Sequence, residues 1–383
     1  MRFLVHCALA TLTILLSCLG CRAQPAPLTQ PPAMPTAAEV NAVAERVCDY
    51  ALNLWRPPTN RPDSNGWVRA TLYAGVWAAY RSTGEDRYRQ AVLRWGRSRN
   101  WTPGGGRRLG KRDAWADNLC CGHVYLDAYL AERDPTMLEG TLRACRTLIE
   151  ELERGRDEWW WADALFMAPA TLSRLSAATG DPAWLTAMDS MWWDTVEYLL
   201  DPQENLLYRD SGYFKRRTPH GQKVFWGRGN GWVIGGLCRL LETFPQEDPR
   251  RARYEDLLRR MAGKLVTLQQ EDGLWRPSLL DPLQVPVPET SGSGFFCFGL
   301  AWGINHGVLD RATYLPATLK AWRGLVSCVR EEGRLGYVQP VGASPGRVEE
   351  SMTQEYGVGA FLLAASEMAA LARASGPQGA PAE

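Results

Sequence analysis

The sequence predicts an all-α protein, an (α/α)6 barrel of six helical hairpins, and three observations lead there. Apolar residues recur at helical rather than alternating spacing along most of the chain, with strand patterns confined to short pieces such as Leu206 to Arg209 and Gly336 to Gln339. One short turn returns five times: TGEDRY at 83–88, ERDPTML at 132–138, TGDPAWL at 179–185, PQEDPRRARY at 245–254 and LDRATYL at 309–315. An Asp ahead of Pro caps a new helix, so such a turn starts one helix where another has just ended. Finally, short and long connections alternate.

The helical period marks twelve segments: 37–55, 67–82, 86–99, 115–131, 135–153, 160–178, 182–200, 228–243, 250–270, 290–308, 312–331 and 353–372. Connections from even to odd segments are short. Those from odd to even are long, at 56–66, 100–114, 201–227, 271–289 and 332–352, with 154–159 the exception. Long loops therefore gather on one face, where loops of that length usually carry function. An open helical solenoid is the competing all-α reading, and it calls for a more even repeat.

Ahead of the first helix, Met1-Arg2 and an apolar run from Phe3 to Leu19 read as a secretory signal peptide over 1–21. Gly20-Cys21 resembles a lipoprotein acceptor, although Cys18 is an unusual residue three positions before it. Ordinary cleavage near Ala23 is the alternative, so the protein is expected to be exported, either periplasmic or anchored by lipid at Cys21. The Pro-rich stretch 22–36 is then a linker, 37–373 the catalytic barrel and 374–383 a disordered tail. No later segment is apolar for long enough to span a membrane.

Composition removes several functions. The chain has 383 residues with 43 Lys+Arg against 42 Asp+Glu, a balance unsuited to the concentrated positive field that nucleic acid demands. Four His without a spaced His/Cys cluster leave little to build a zinc site from, and no metal is expected. The seven cysteines after the leader are scattered, and most read as small buried apolar residues rather than disulfide partners. Tryptophan is abundant, with 17 residues that serve either as core filling or as flat platforms for sugars.

Position sharpens this. The even helices open on polar or aromatic groups: Trp67, then Asp117 and Asn118, Asp163, Arg228 and Asn230, Thr290 and Ser291, and Gln354 and Glu355. No odd helix does so. Carboxylates, Arg and Trp converging at one barrel end point to carbohydrate. Asp163 lies between Trp159, Trp160 and Trp161 on one side and Leu165, Phe166 and Met167 on the other, where burial favours its protonated form. A helix N-terminus opposes this by only about 0.3–1 kcal/mol. Asp117, on the neighbouring even helix, adds a like charge; as an alternative, both acids could simply be helix caps. In WGRGNGW, Arg228 and Trp232 share a helix face, the glycines allow close backbone approach to a ligand, and Arg228 suits a sugar carboxylate. His123 reads as a wall residue or a participant, and Met167 as core or pocket lining.

These residues match a known pattern. WWWADALFMAP, FWGRGNGW, DGLWRPSLLDP, ETSGSGFF, LAWGINHGVLD, YLPATLKAW and GYVQPVG resemble the unsaturated rhamnogalacturonyl hydrolases, glycoside hydrolase family 105, related to the unsaturated glucuronyl hydrolases. The resemblance spans about residues 40–372. It implies an (α/α)6 barrel that removes a 4,5-unsaturated uronic acid from the non-reducing end of acidic oligosaccharides, pectin rhamnogalacturonan by default, with no cofactor. It implies Asp163 as general acid/base and Asp117 as second carboxylate, with substrate contacted by Arg228 and Trp232 and Met167 lining the pocket; position alone adds Trp67, His123, Trp161, Asn230 and Ser291 as candidate substrate contacts. The Cys pair in DNLCCGHVYLD, beside His123, departs from the pattern. A conventional inverting glycosidase and a non-catalytic surface sugar-binding lipoprotein remain the other readings.

Overall fold

The computed structural model describes residues 33–57, 63–104, 115–150 and 155–375. The expected leader, the linker up to residue 32 and the tail from residue 376 lie outside the described residues. In chain order the helices are α1 (Ala37–Leu54), α2 (Trp67–Thr83), α3 (Asp86–Ser98), α4 (Ala116–Glu132), α5 (Thr136–Glu150), α6 (Gly155–Glu158), α7 (Ala164–Met167), α8 (Pro169–Thr179), α9 (Ala183–Leu199), α10 (Gly227–Leu241), α11 (Arg251–Thr267), α12 (Thr290–Asn305), α13 (Arg311–Ser327) and α14 (Glu355–Arg373). A two-stranded antiparallel ribbon, β1 (Leu200–Asp201) and β2 (Leu206–Leu207), opens the α9–α10 connection.

Six helical positions form a closed inner ring. α2 packs on α4, α4 on α7 and α8, these on α10, α10 on α12, α12 on α14, and α14 back on α2. That last contact separates a barrel from an open solenoid. The sequence explains the two rings: every residue of α10, and every residue of α12 except the terminal Asn305, is buried, as befits helices enclosed on all sides. Outer α3 instead buries one stripe, Tyr88, Ala91, Val92, Leu93, Trp95 and Gly96. α1 starts at a capping box in which Thr36 and Glu39 satisfy each other's backbone N–H groups.

One expected helix is interrupted. The segment 160–178 begins as an irregular turn through Trp161 and Asp163, then forms α7, a break at Ala168, and α8. Pro169 has no N–H to give the Leu165 carbonyl, and its ring excludes a continuous helix there. That carbonyl lies against α10 so closely that a Cβ on Gly236 would sit 2.1 Å from it. Gly231, Gly235 and Gly236 of α10 therefore admit neighbouring helices: a Cβ on Gly231 would lie 3.2 Å from the Gly292 Cα of α12.

The cysteines from Cys48 to Cys328 are free and buried. Among the described residues, no helix is long and apolar enough to cross a membrane.

Candidate active site

The N-terminal ends of the inner helices share one face of the barrel, and four charged side chains dominate it. Asp163 occupies the position before α7 with helical backbone angles, and its side chain makes no capping hydrogen bond. It is 8 % exposed, and its Oδ2 has no hydrogen-bond partner. Burial raises its pKa, while Arg209 and Arg228 pull the other way. Asp117, in the first turn of α4, is pushed up to about 6 by burial and then by the charge of Asp163, against a hydrogen bond from Trp115. The like charges of the two acids oppose their simultaneous ionisation. Neither acid is a simple cap, and the pair holds a proton to higher pH than ordinary carboxyls do.

Arg209 was hidden from sequence reasoning. Its Nε lies 3.5 Å from Asp163 Oδ2, its Nη1 donates to Asp210 Oδ2 at 2.8 Å, and its guanidinium lies over the Trp160 ring at 5.1 Å. The ribbon of the α9–α10 connection delivers it, since the Arg209 carbonyl accepts a 2.8 Å hydrogen bond from Ala162 N–H, beside Asp163. The available signal was the short strand pattern ending at Arg209 inside a long loop.

Arg228 is buried between the rings of Trp226, at 4.4 Å, and Tyr356, at 4.8 Å. Nη1 donates to the Gln339 carbonyl at 2.7 Å and Nη2 to that of Pro340 at 2.8 Å. No carboxylate among the described residues forms a salt bridge with it. It is a fixed, buried positive charge that no carboxylate among the described residues contacts directly, a favourable setting for an anionic sugar group.

The other expected contacts divide. Trp161 stacks on Trp115 with ring centroids 4.8 Å apart. Trp67 meets Tyr356 at 5.3 Å and the edge of Trp232 at 5.9 Å. Trp232 is 1 % exposed and packs on Phe295 and Phe166, and Met167 is also buried. Ser291 donates to Glu289 Oε1 at 2.5 Å, within the buried cap of α12.

Two further expected contacts make internal hydrogen bonds. Asn230 spends its amide on backbone: Oδ1 accepts from Leu207 N–H at 2.8 Å, and Nδ2 donates to the Leu207 and Trp226 carbonyls. His123 is fully buried, six residues past Asp117 on α4, which carries it about 9 Å down the barrel. There it bonds Arg239 at 3.1 Å and approaches Cys120 Sγ at 3.6 Å. Burial and the charges of Arg239 and Arg174 hold its pKa well below the usual value, so it stays neutral. It belongs to a buried cluster in which Asp127 and Glu242 bind Arg174 and Arg239, tying α4, α8 and α10 together. No group of three or more potential metal ligands occurs among the described residues.

Fold and site together define a helical-barrel enzyme acting on acidic carbohydrate. Glycosyl Hydrolase Family 88 matches residues 43–372. The unsaturated 3S-rhamnoglycuronyl hydrolase of Formosa agariphila is 37 % identical over 321 residues, covering 79 % of this chain and 84 % of that protein. Its namesake from an Alteromonas species is 34 % identical over 364 residues, covering 86 % of each chain. A solved family 88 glycosyl hydrolase from Bacteroides vulgatus superposes with a TM-score of 0.82 at 30 % identity, covering 88 % of this chain and 99 % of that one. The chain belongs to Glycosyl Hydrolase Family 88. It is a glycosidic hydrolase acting on unsaturated uronyl residues.

Proposed function

We propose that the enzyme removes a 4,5-unsaturated uronate from a 3-sulfated rhamnose by hydrating the double bond. The observation that carries the mechanism is the coupled pair Asp117 and Asp163 beside the guanidiniums of Arg209 and Arg228. Protonated Asp163 gives its proton to C4 of the enol ether, and the ring oxygen stabilises the resulting cation at C5. Water adds at C5 and returns a proton to the Asp163 carboxylate. The C5 hemiketal then opens by breaking its bond to the ring oxygen, and the C1 hemiacetal so exposed expels the next sugar with its oxygen. No carboxylate serves as nucleophile, in contrast to ordinary retaining glycosidases. Asp117 orients the sugar, and Arg228 balances the uronate carboxylate.

The sulfate reading draws on the 3S-rhamnoglycuronyl names of the two relatives. It is supported by Lys215, Arg216 and Arg217, three consecutive exposed cations on the connection that also supplies Arg209. None of the three pairs with a carboxylate among the described residues. The test is a panel of lyase-generated disaccharides, sulfated and unsulfated, followed by loss of enol-ether absorbance. Preference for the 3-sulfated member supports the reading; preference for the unsulfated rhamnogalacturonan disaccharide replaces it with the pectin substrate.

Export with a lipid at Cys21 completes the proposal. Fatty-acid labelling that Cys21→Ala abolishes supports the anchor, and a labelling-free, processed protein favours the free periplasmic form.

A further inference from the structure

We infer that Asn230 is a positioning residue for this reaction, its amide clasping the backbone of Leu207 so that Arg209 is held against Asp163. The inference rests on Asp163 being the proton donor.

Asn230 is fully buried in the first turn of α10, and its three hydrogen bonds all go to backbone. Its exchange with Leu207, acceptor to the N–H at 2.8 Å and donor to the carbonyl at 3.0 Å, copies the two bonds a neighbouring strand would make. Leu207 pairs on its other side with Leu200 of β1, so Asn230 closes an edge that would otherwise be buried unpaired. Two residues further on, the Arg209 carbonyl is fixed by Ala162 N–H. Leu207 to Arg209 is thus pinned to α10 at one end and to the turn carrying Asp163 at the other.

The head group it delivers is loosely held at its target. Arg209 Nε and Asp163 Oδ2 are 3.5 Å apart, and neither has a hydrogen-bond partner. No direct bond fixes their separation, which follows from the backbone placement of Arg209 together with its Nη1 bond to Asp210 and its seat over the Trp160 ring, and their attraction depends on that separation directly. The charged groups facing Asp163 are Arg209 and Asp210 from the connection, Arg228 from α10 and Asp117 from α4. Of these, Asn230 controls the connection.

The test is a cycle of Asn230→Ala, Arg209→Gln and the double variant, each assayed for kcat against pH. Losing the Arg209 charge raises the pH above which Asp163 is ionised, so the basic limb should move up by about one pH unit in Arg209→Gln. Asn230→Ala should move it in the same direction, and adding it to Arg209→Gln should move it no further. Asn230→Ser, which is neutral and keeps a short hydroxyl able to donate or accept, should give a smaller move and serves if the alanine variant fails to fold. A folded Asn230 variant with an unmoved limb, or shifts that add in the double variant, overturns the inference. Full turnover by Asp163→Asn overturns the proton-donor reading instead.

Discussion

Asp117→Asn should stabilise the protein near neutral pH while disabling it. The Asp117 carboxyl has a folded-state pKa of about 6 against an ordinary 3.8. Its folded pKa lies above the unfolded one, so the native state binds the proton more tightly and stability falls as pH rises from about 4 through 6. The full penalty, about 2 pKa units, is about 3 kcal/mol above pH 7 and shrinks to about 0.5 kcal/mol at pH 4. A neutral amide of the same shape escapes it. With about 2 cal/mol/K of unfolding entropy per residue, 3 kcal/mol corresponds to a rise in Tm of roughly 4 °C. The assay is thermal unfolding of both proteins at pH 4 and pH 7.5, with turnover measured alongside. A lower Tm for the variant at pH 7.5, or an equal gain at both pH values, refutes the reasoning that a buried, charge-burdened carboxylate is maintained for function.

Other substitutions probe separate parts of the account. Asp163→Asn should fold normally and lose about 10²- to 10⁴-fold in kcat, read by absorbance loss on an unsaturated disaccharide. His123→Ala should keep kcat within a few-fold yet lose about 1–3 kcal/mol of stability in denaturant titrations, because it breaks a buried contact with Arg239 rather than a substrate contact. Gly236→Ala should cost about 1–3 kcal/mol by the same measurement, since its Cβ would meet the Leu165 carbonyl and force α7 away from α10. Arg216→Ala with Arg217→Ala should raise KM about tenfold for the sulfated disaccharide and leave the unsulfated one unchanged.

The barrel was legible because its signals are local. Helical spacing, Asp-initiated turns and alternating connection lengths each lie within a few residues, and together they require hairpins with one loop-rich face. The acids were legible for the same reason, as each opens an inner helix. What escaped depends on distant partners. Arg209 reaches Asp163 only because Leu207 is clasped by Asn230, 23 residues later, and Ala162 binds the Arg209 carbonyl. His123 misleads because proximity to Asp117 along a helix is separation along the barrel axis. The break after α7 was readable from Pro169 alone, since a proline has no N–H for the carbonyl four residues back and its ring crowds that turn. The exposed run Lys215–Arg217 was concealed by a net charge near zero.

Turnover of a lyase-generated unsaturated disaccharide in heavy water tests the central claim most directly, with the product read by mass spectrometry and NMR before slow exchange sets in. Proton delivery to C4 by Asp163 predicts loss of the enol-ether absorbance together with one stereospecific deuteron at C4 of the released uronate. Release of a uronate that keeps its double bond and carries no deuterium at C4 would contradict it.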